Sequence, residues 1–86
     1  MLRREVEISN PSGLHLRPAG VFCKEAMKFH SAVSIISKGT TANAKSVLSV
    51  LAACVKSGDM IELVCDGEDE EDAMDTLLGV IKTGLE

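Results

Sequence analysis

Over "REVEI" the chain alternates, placing Arg4, Val6 and Ile8 on one face and Arg3, Glu5 and Glu7 on the other, the period-two pattern of a half-buried strand. Pro11-Ser12-Gly13 ends it as a turn. From Pro18 to His30 the period lengthens: Ala19, Phe22, Cys23, Ala26 and Met27 recur at helical spacing while Lys24, Glu25 and Lys28 fall off the stripe, which predicts an amphipathic helix. "AVSII" from Ala32 to Ile36 reads as a second strand, and after Lys38-Gly39 the polar "TTAN" suits the short edge strand of a hairpin. A shorter helix is predicted from about Ser46 to Val55, with Val47, Leu51, Cys54 and Val55 on one face and Gly58 as its stop. "MIELVC" alternates Ile61, Leu63 and Cys65 against Met60, Glu62 and Val64, a last strand. The segment from Glu68 to Gly84 opens with acids and nears its end with Lys82, which complements the dipole of a final helix.

The order β-α-β-β-α-β-α implies one α+β domain spanning residues 1–86, with its three helices on one face of a four-stranded sheet. A chain of 86 residues buries only about 60–65 % of its unfolded surface, so it has a single core and no deep catalytic cleft. Hydrophobic residues make up 45 % and charged residues 26 %, and with two Phe and no Trp or Tyr the core is aliphatic and offers no stacking platform for nucleic acid. The net charge of −4 argues against a general polyanion binder. Cys23, Cys54 and Cys65 are an odd number without a CxxC pair and read as small buried apolar residues. "MLRREVEISN" has no apolar signal region and no segment is long enough to span a bilayer, so a cytoplasmic location is expected.

The chemistry concentrates in "NPSGLHLRPAG", residues 10 to 20. Pro18 belongs in a first helical turn, where its missing N–H costs nothing, and His15 therefore sits at or just before a helix N-terminus. The start stays ambiguous, because Arg17 precedes a proline and is pushed out of the helical region. Either way the imidazole borders unpaired N–H groups and partial positive charge, which attract an anion such as phosphate. Arg17 adds a permanent cation with a fork suited to phosphate oxygens, and both features favour the neutral, nucleophilic ring.

"GLHLRPA" and, downstream, "NAKSVLSV" resemble the HPr phosphocarrier family of the bacterial phosphoenolpyruvate:sugar phosphotransferase system, over essentially the whole chain. The resemblance implies an open-faced β-sandwich in which His15, phosphorylated on Nδ1, receives phosphate from Enzyme I and passes it to sugar-specific IIA proteins. The protein would then be a relay with a covalent phosphohistidine intermediate, with no cofactor or metal, acting as a monomer. Arg17 matches the family's phosphate-facing arginine, Ser12 and Gly13 the loop before the histidine, and Leu16 and Pro18 complete the phosphate environment. Leu16 departs from the smaller or polar residue expected after the histidine, which bears on partner preference. Ser46 matches the regulatory serine, a target of HPr kinase/phosphorylase and a link to a catabolite-control regulator. Leu16, Gly20, Val47, Leu48 and Leu51 match a docking patch, rimmed by Lys24 and Lys45 as steering cations.

Plainer readings accompany these. Ser46 is also a good N-cap. His30 is expected at the C-terminal end of the first helix, acting on its dipole. Cys23 and His30 fall on roughly one helical face, without a third metal ligand. The acids Glu68 to Asp72 read as a solvated helix start. A regulatory paralogue, of the nitrogen or catabolite-control type, whose phosphorylation state is the output remains the alternative to the relay, and a non-catalytic interaction module with an incidental His15 is a third.

Overall fold

A computed structural model describes residues 1–85. Four strands, β1 (Leu2–Glu7), β2 (Ala32–Ser37), β3 (Thr40–Asn43) and β4 (Met60–Asp66), form one antiparallel sheet in the order β1-β4-β2-β3. Helices α1 (Leu16–Ala26), α2 (Val47–Ala52) and α3 (Glu70–Gly79) cover one face, and α3 runs on into a π-helical turn, Val80–Gly84. The register explains the layering. Val6 faces Ile61, while Leu63 stands between Arg4 and Ile35, and Cys65 between Leu2 and Val33. All of these except Leu2 and Arg4 are buried, and they pack against Phe22, Cys23 and Ala26 of α1, Val50 of α2 and Met74 and Leu77 of α3. The fold is the predicted α+β class with helices on one face.

Local departures have physical causes. Arg4 shares the register of Val6, but its long charged side chain stays exposed and its guanidinium donates to the Arg3 carbonyl at 2.7 Å. Helix α1 begins at Leu16 with His15 as its N-cap and Pro18 in its first turn, as expected, and the start left open by Arg17 is resolved: Arg17 is helical despite preceding a proline. It ends at Ala26, leaving Met27 exposed and His30 four residues beyond the helix, away from the dipole position expected for it. The same early end removes the shared face of Cys23 and His30: Cys23 is buried and His30 is exposed in the following turn. Among the described residues no three metal-ligating side chains cluster.

Helix α2 closes at Ala52, short of the predicted Val55, and Cys54 takes a left-handed φ of 54°. That twist carries Cys54 into solvent, so of the three thiols read as buried only Cys23 and Cys65 are. Burial pushes the Cys23 thiol up, and burial with the nearby Glu70 and Asp69 carboxylates pushes that of Cys65 to about 11. The last helix starts at Glu70 instead of Glu68, because Asp69 has non-helical backbone angles and its side chain is drawn elsewhere. Thr83 donates its hydroxyl to the Gly79 carbonyl at 3.0 Å, a side-chain competitor where the helix widens.

Candidate functional site

The loop before α1 is held in place from both sides. Gly13 donates its amide to the Asn10 carbonyl at 3.1 Å, and the Asn10 side-chain amide donates to the Gly13 carbonyl at 2.7 Å. Gly13 has a φ of 63°, and a Cβ there would stand 2.8–2.9 Å from the backbone of Val55, Lys56 and Ser57. The next residue, Leu14, is buried and donates its amide to the Val55 carbonyl at 3.0 Å. The turn after α2 thus clamps the two residues that precede His15. Cys54 makes that turn in the left-handed conformation usually given to glycine.

His15 is the N-cap of α1, extended at φ −78° and ψ −175°, and its carbonyl accepts from the Ala19 amide at 2.8 Å. Its backbone performs the cap while its imidazole, exposed, makes no capping bond. The first two helical amides, of Leu16 and Arg17, have no intrahelical acceptor, and Pro18 has no N–H to offer. Arg17 is exposed, and among the described residues no ion pair holds its guanidinium. The arrangement leaves positive potential and free donors beside an accessible imidazole, as an anion receptor needs. Ser12 is half-buried in the same loop.

A depression of about 320 Å³ adjoins the imidazole, lined by Leu14, His15, Leu51, Cys54, Val55 and Lys56. Of the residues singled out from the sequence, it gathers His15 and Leu51. Cys54 and Lys56 were missed, since no glycine marks the turn that brings them there. Leu16, Gly20 and Lys24 follow at i, i+4, i+8 along one stripe of α1. Leu16 is 69 % and Leu48 80 % exposed, and a Cβ on Gly20 would meet nothing within 4 Å, so the stripe is open surface. Val47 and Leu51 are only partly buried against the core. Lys24 is exposed, but Lys45 is half-buried and donates Nζ to the Phe29 carbonyl at 2.7 Å, which makes it a tether and not the free rim cation expected.

Ser46 caps α2: its hydroxyl accepts from the Ser49 amide at 3.3 Å. Six residues of helix, about 9 Å, separate it from the end of α2 that borders the depression. The serine therefore flanks the His15 site without entering it.

An exposed histidine with unfilled anion donors on an open-faced α+β fold is the outline of a protein that carries an anionic group. Comparison with known proteins agrees. The family model described as the PTS HPr component phosphorylation site matches residues 2–83. The chain is 44 % identical over 86 residues to phosphocarrier protein HPr of Buchnera aphidicola from Acyrthosiphon pisum, covering 100 % of both chains. It is 37 % identical over 82 residues to the HPr-like protein Crh of Halalkalibacterium halodurans, covering 95 % of this chain and 98 % of Crh. The crystal structure of HPr-C-His from Thermoanaerobacter tengcongensis superposes with a TM-score of 0.95 at 34 % identity, over 99 % of this chain and 96 % of that one. The chain belongs to the HPr phosphocarrier family of the phosphotransferase system.

Proposed function

We propose that this chain is a relay in which His15 takes a phosphoryl group from phospho-Enzyme I and hands it to the IIA components of sugar permeases. The observation that carries the reading is the division of labour at His15: its backbone caps α1 while its side chain is left exposed beside the free amides of Leu16 and Arg17 and the guanidinium of Arg17. In the forward step a bond forms between the ring nitrogen Nδ1 and phosphorus as the donor's bond to phosphorus breaks, and the second step reverses this toward the acceptor. Arg17 stabilises charge on the equatorial oxygens during transfer without covalent chemistry. Ser12, Leu16 and Pro18 complete the phosphate's surroundings. Leu16, Gly20, Val47, Leu48 and Leu51 form the docking patch, with Lys24 as its free steering cation. The carrier works in the cytoplasm as a monomer, and its complexes are small and transient, since each must part at every cycle.

Ser46 is the regulatory position, accessible to HPr kinase/phosphorylase and, when phosphorylated, to a catabolite-control regulator. The assay for the relay is reconstitution with Enzyme I, magnesium, labelled phosphoenolpyruvate and a IIA domain. Label should pass to IIA with wild-type protein, not with His15→Ala, and far more slowly with Arg17→Ala at unchanged stability. Transfer at equal rates by all three would sink the reading.

A further inference from the structure

The helices cover only one face of the sheet, and the other carries its own charge pattern. Register places Glu7 of β1 beside Met60, Glu5 beside Glu62, and Glu62 in turn beside Ile36. Glu5 and Glu62 are directly opposed, where like charges are unfavourable. Arg3 relieves one of them, donating from Nη1 to Glu62 Oε1 at 3.0 Å. Among the described residues no cation engages Glu5 or Glu7. Beside them Met60 is 56 % exposed and Ile36 half-exposed, an apolar strip next to two unneutralised carboxylates.

We propose that this uncovered face is a second docking surface, distinct from the His15 surface, for an extended basic segment of a protein partner. Charge complementarity selects the occupant. Glu5 and Glu7 lie two residues apart on one strand, about 7 Å, the spacing of alternate side chains on another extended chain, so two lysines or arginines at i and i+2 meet both. Where the segment crosses from β1 over β4 toward β2, an apolar residue covers Met60 and Ile36, which lie one and two strands away from the glutamates. A second copy of this chain would set carboxylates against carboxylates, and nucleic acid or an anionic membrane would be repelled by the same groups. The sheet itself stands between this face and the helices that carry His15 and Leu48, so both surfaces can be occupied at once. The proposal goes beyond the relay and does not depend on it.

The probe is an amidated nonapeptide with lysine at alternate positions and one leucine on the lysine face, titrated at low salt into isotopically labelled full-length protein and followed by amide shifts. Shifts should cluster at residues 5–7, 36 and 60–62. Glu5→Lys combined with Glu7→Lys should weaken binding roughly tenfold or more, and His15→Ala should leave it unchanged. The double variant should fold, because a lysine at position 5 opposes Glu62 and raises Tm by about 2–4 °C. Glu5→Gln with Glu7→Gln serves the same purpose without new charge. Shifts at residues 68–72 instead, which a purely electrostatic contact with the acidic run would give, would overturn the proposal, as would absent binding or undiminished affinity in both double variants.

Discussion

Two helix starts in this small domain use their capping residues in opposite ways. At α3, Asp69 spends its carboxylate entirely on other parts of the chain: Oδ2 accepts from the His30 amide at 2.8 Å, and Oδ1 from the Ser31 amide at 2.9 Å and the Ser31 hydroxyl. The Glu70 carboxylate, one residue on, accepts from the Gly67 amide and pairs with the Met1 ammonium at 3.0 Å. At α1, His15 leaves its side chain free and caps with its carbonyl alone. A group whose lone pairs are filled holds two elements together and can do little else. A group left uncommitted in the same kind of electrostatic setting is available for chemistry.

The largest losses should come from removing the glycine beneath each start. Gly13→Ala forces a Cβ into the backbone of the 55–57 turn at positive φ, with an expected cost of about 2–4 kcal/mol, and it should slow phosphotransfer in whatever fraction remains folded. Gly67→Ala puts a Cβ 2.6 Å from Ser31 Cα. Its expected cost is about 1–3 kcal/mol, with transfer by the folded protein intact. Urea melts with single-turnover transfer separate the two, and equal transfer defects would erase the contrast.

Acid should act on the Asp69 corner. The Ser31 hydroxyl, then the His30 and Ser31 amides, hold the Asp69 carboxyl at about 2, below its ordinary 3.8. A lowered folded value means that this stabilisation is complete above 3.8 and is lost as pH falls through about 2. Asp69→Asn should lower stability at neutral pH and flatten this acid limb. An unchanged pH profile in melts of the variant would detach Asp69 from acid sensitivity.

Two changes beside His15 should leave stability nearly untouched. Ser46→Asp keeps an N-cap acceptor, so its Tm should stay within the equivalent of about 0.5 kcal/mol, while transfer to His15 should fall sharply, because a carboxylate beside Val47 and Leu48 puts charge on the apolar patch that the proposed docking must desolvate. Loss of activity through unfolding would contradict the electrostatic account. Least of all should stability change on alkylating Cys54. Iodoacetamide on the native protein should modify this exposed thiol first, well ahead of buried Cys23 and Cys65, and the adduct beside His15 should slow transfer. Earlier labelling of Cys23 or Cys65 would break the assignment.

The contrast between the two starts also shows what a sequence displays. His15 was legible because its setting is local: Gly13 for the turn, Pro18 for the first helical turn and Arg17 between them all lie within six residues. Asp69 was read as part of a solvated acidic run because its partner Ser31 is 38 positions away, and nothing in "EDEED" distinguishes the one carboxylate that the β2 start captures from Glu71 and Asp72, which stay exposed. The first and last strands were legible from alternation, since a two-layer domain buries one face of each, and the short β3 from the Lys38-Gly39 turn before it. Cys54 was not, because a left-handed turn without glycine or asparagine has no local signature. Lys45 was expected on the rim of the docking patch, and nothing local shows that the fold brings the Phe29 carbonyl within 2.7 Å of its Nζ.

The central claim is that the uncommitted imidazole is the group that carries phosphate. Incubation with phosphoenolpyruvate, magnesium and Enzyme I, followed by intact-mass and peptide analysis, tests it most directly. The account predicts one phosphoryl group on His15, lost in acid and retained in base as a phosphoramidate is, and none on His15→Ala. A phosphate that survives acid, or one that persists in His15→Ala, would contradict it.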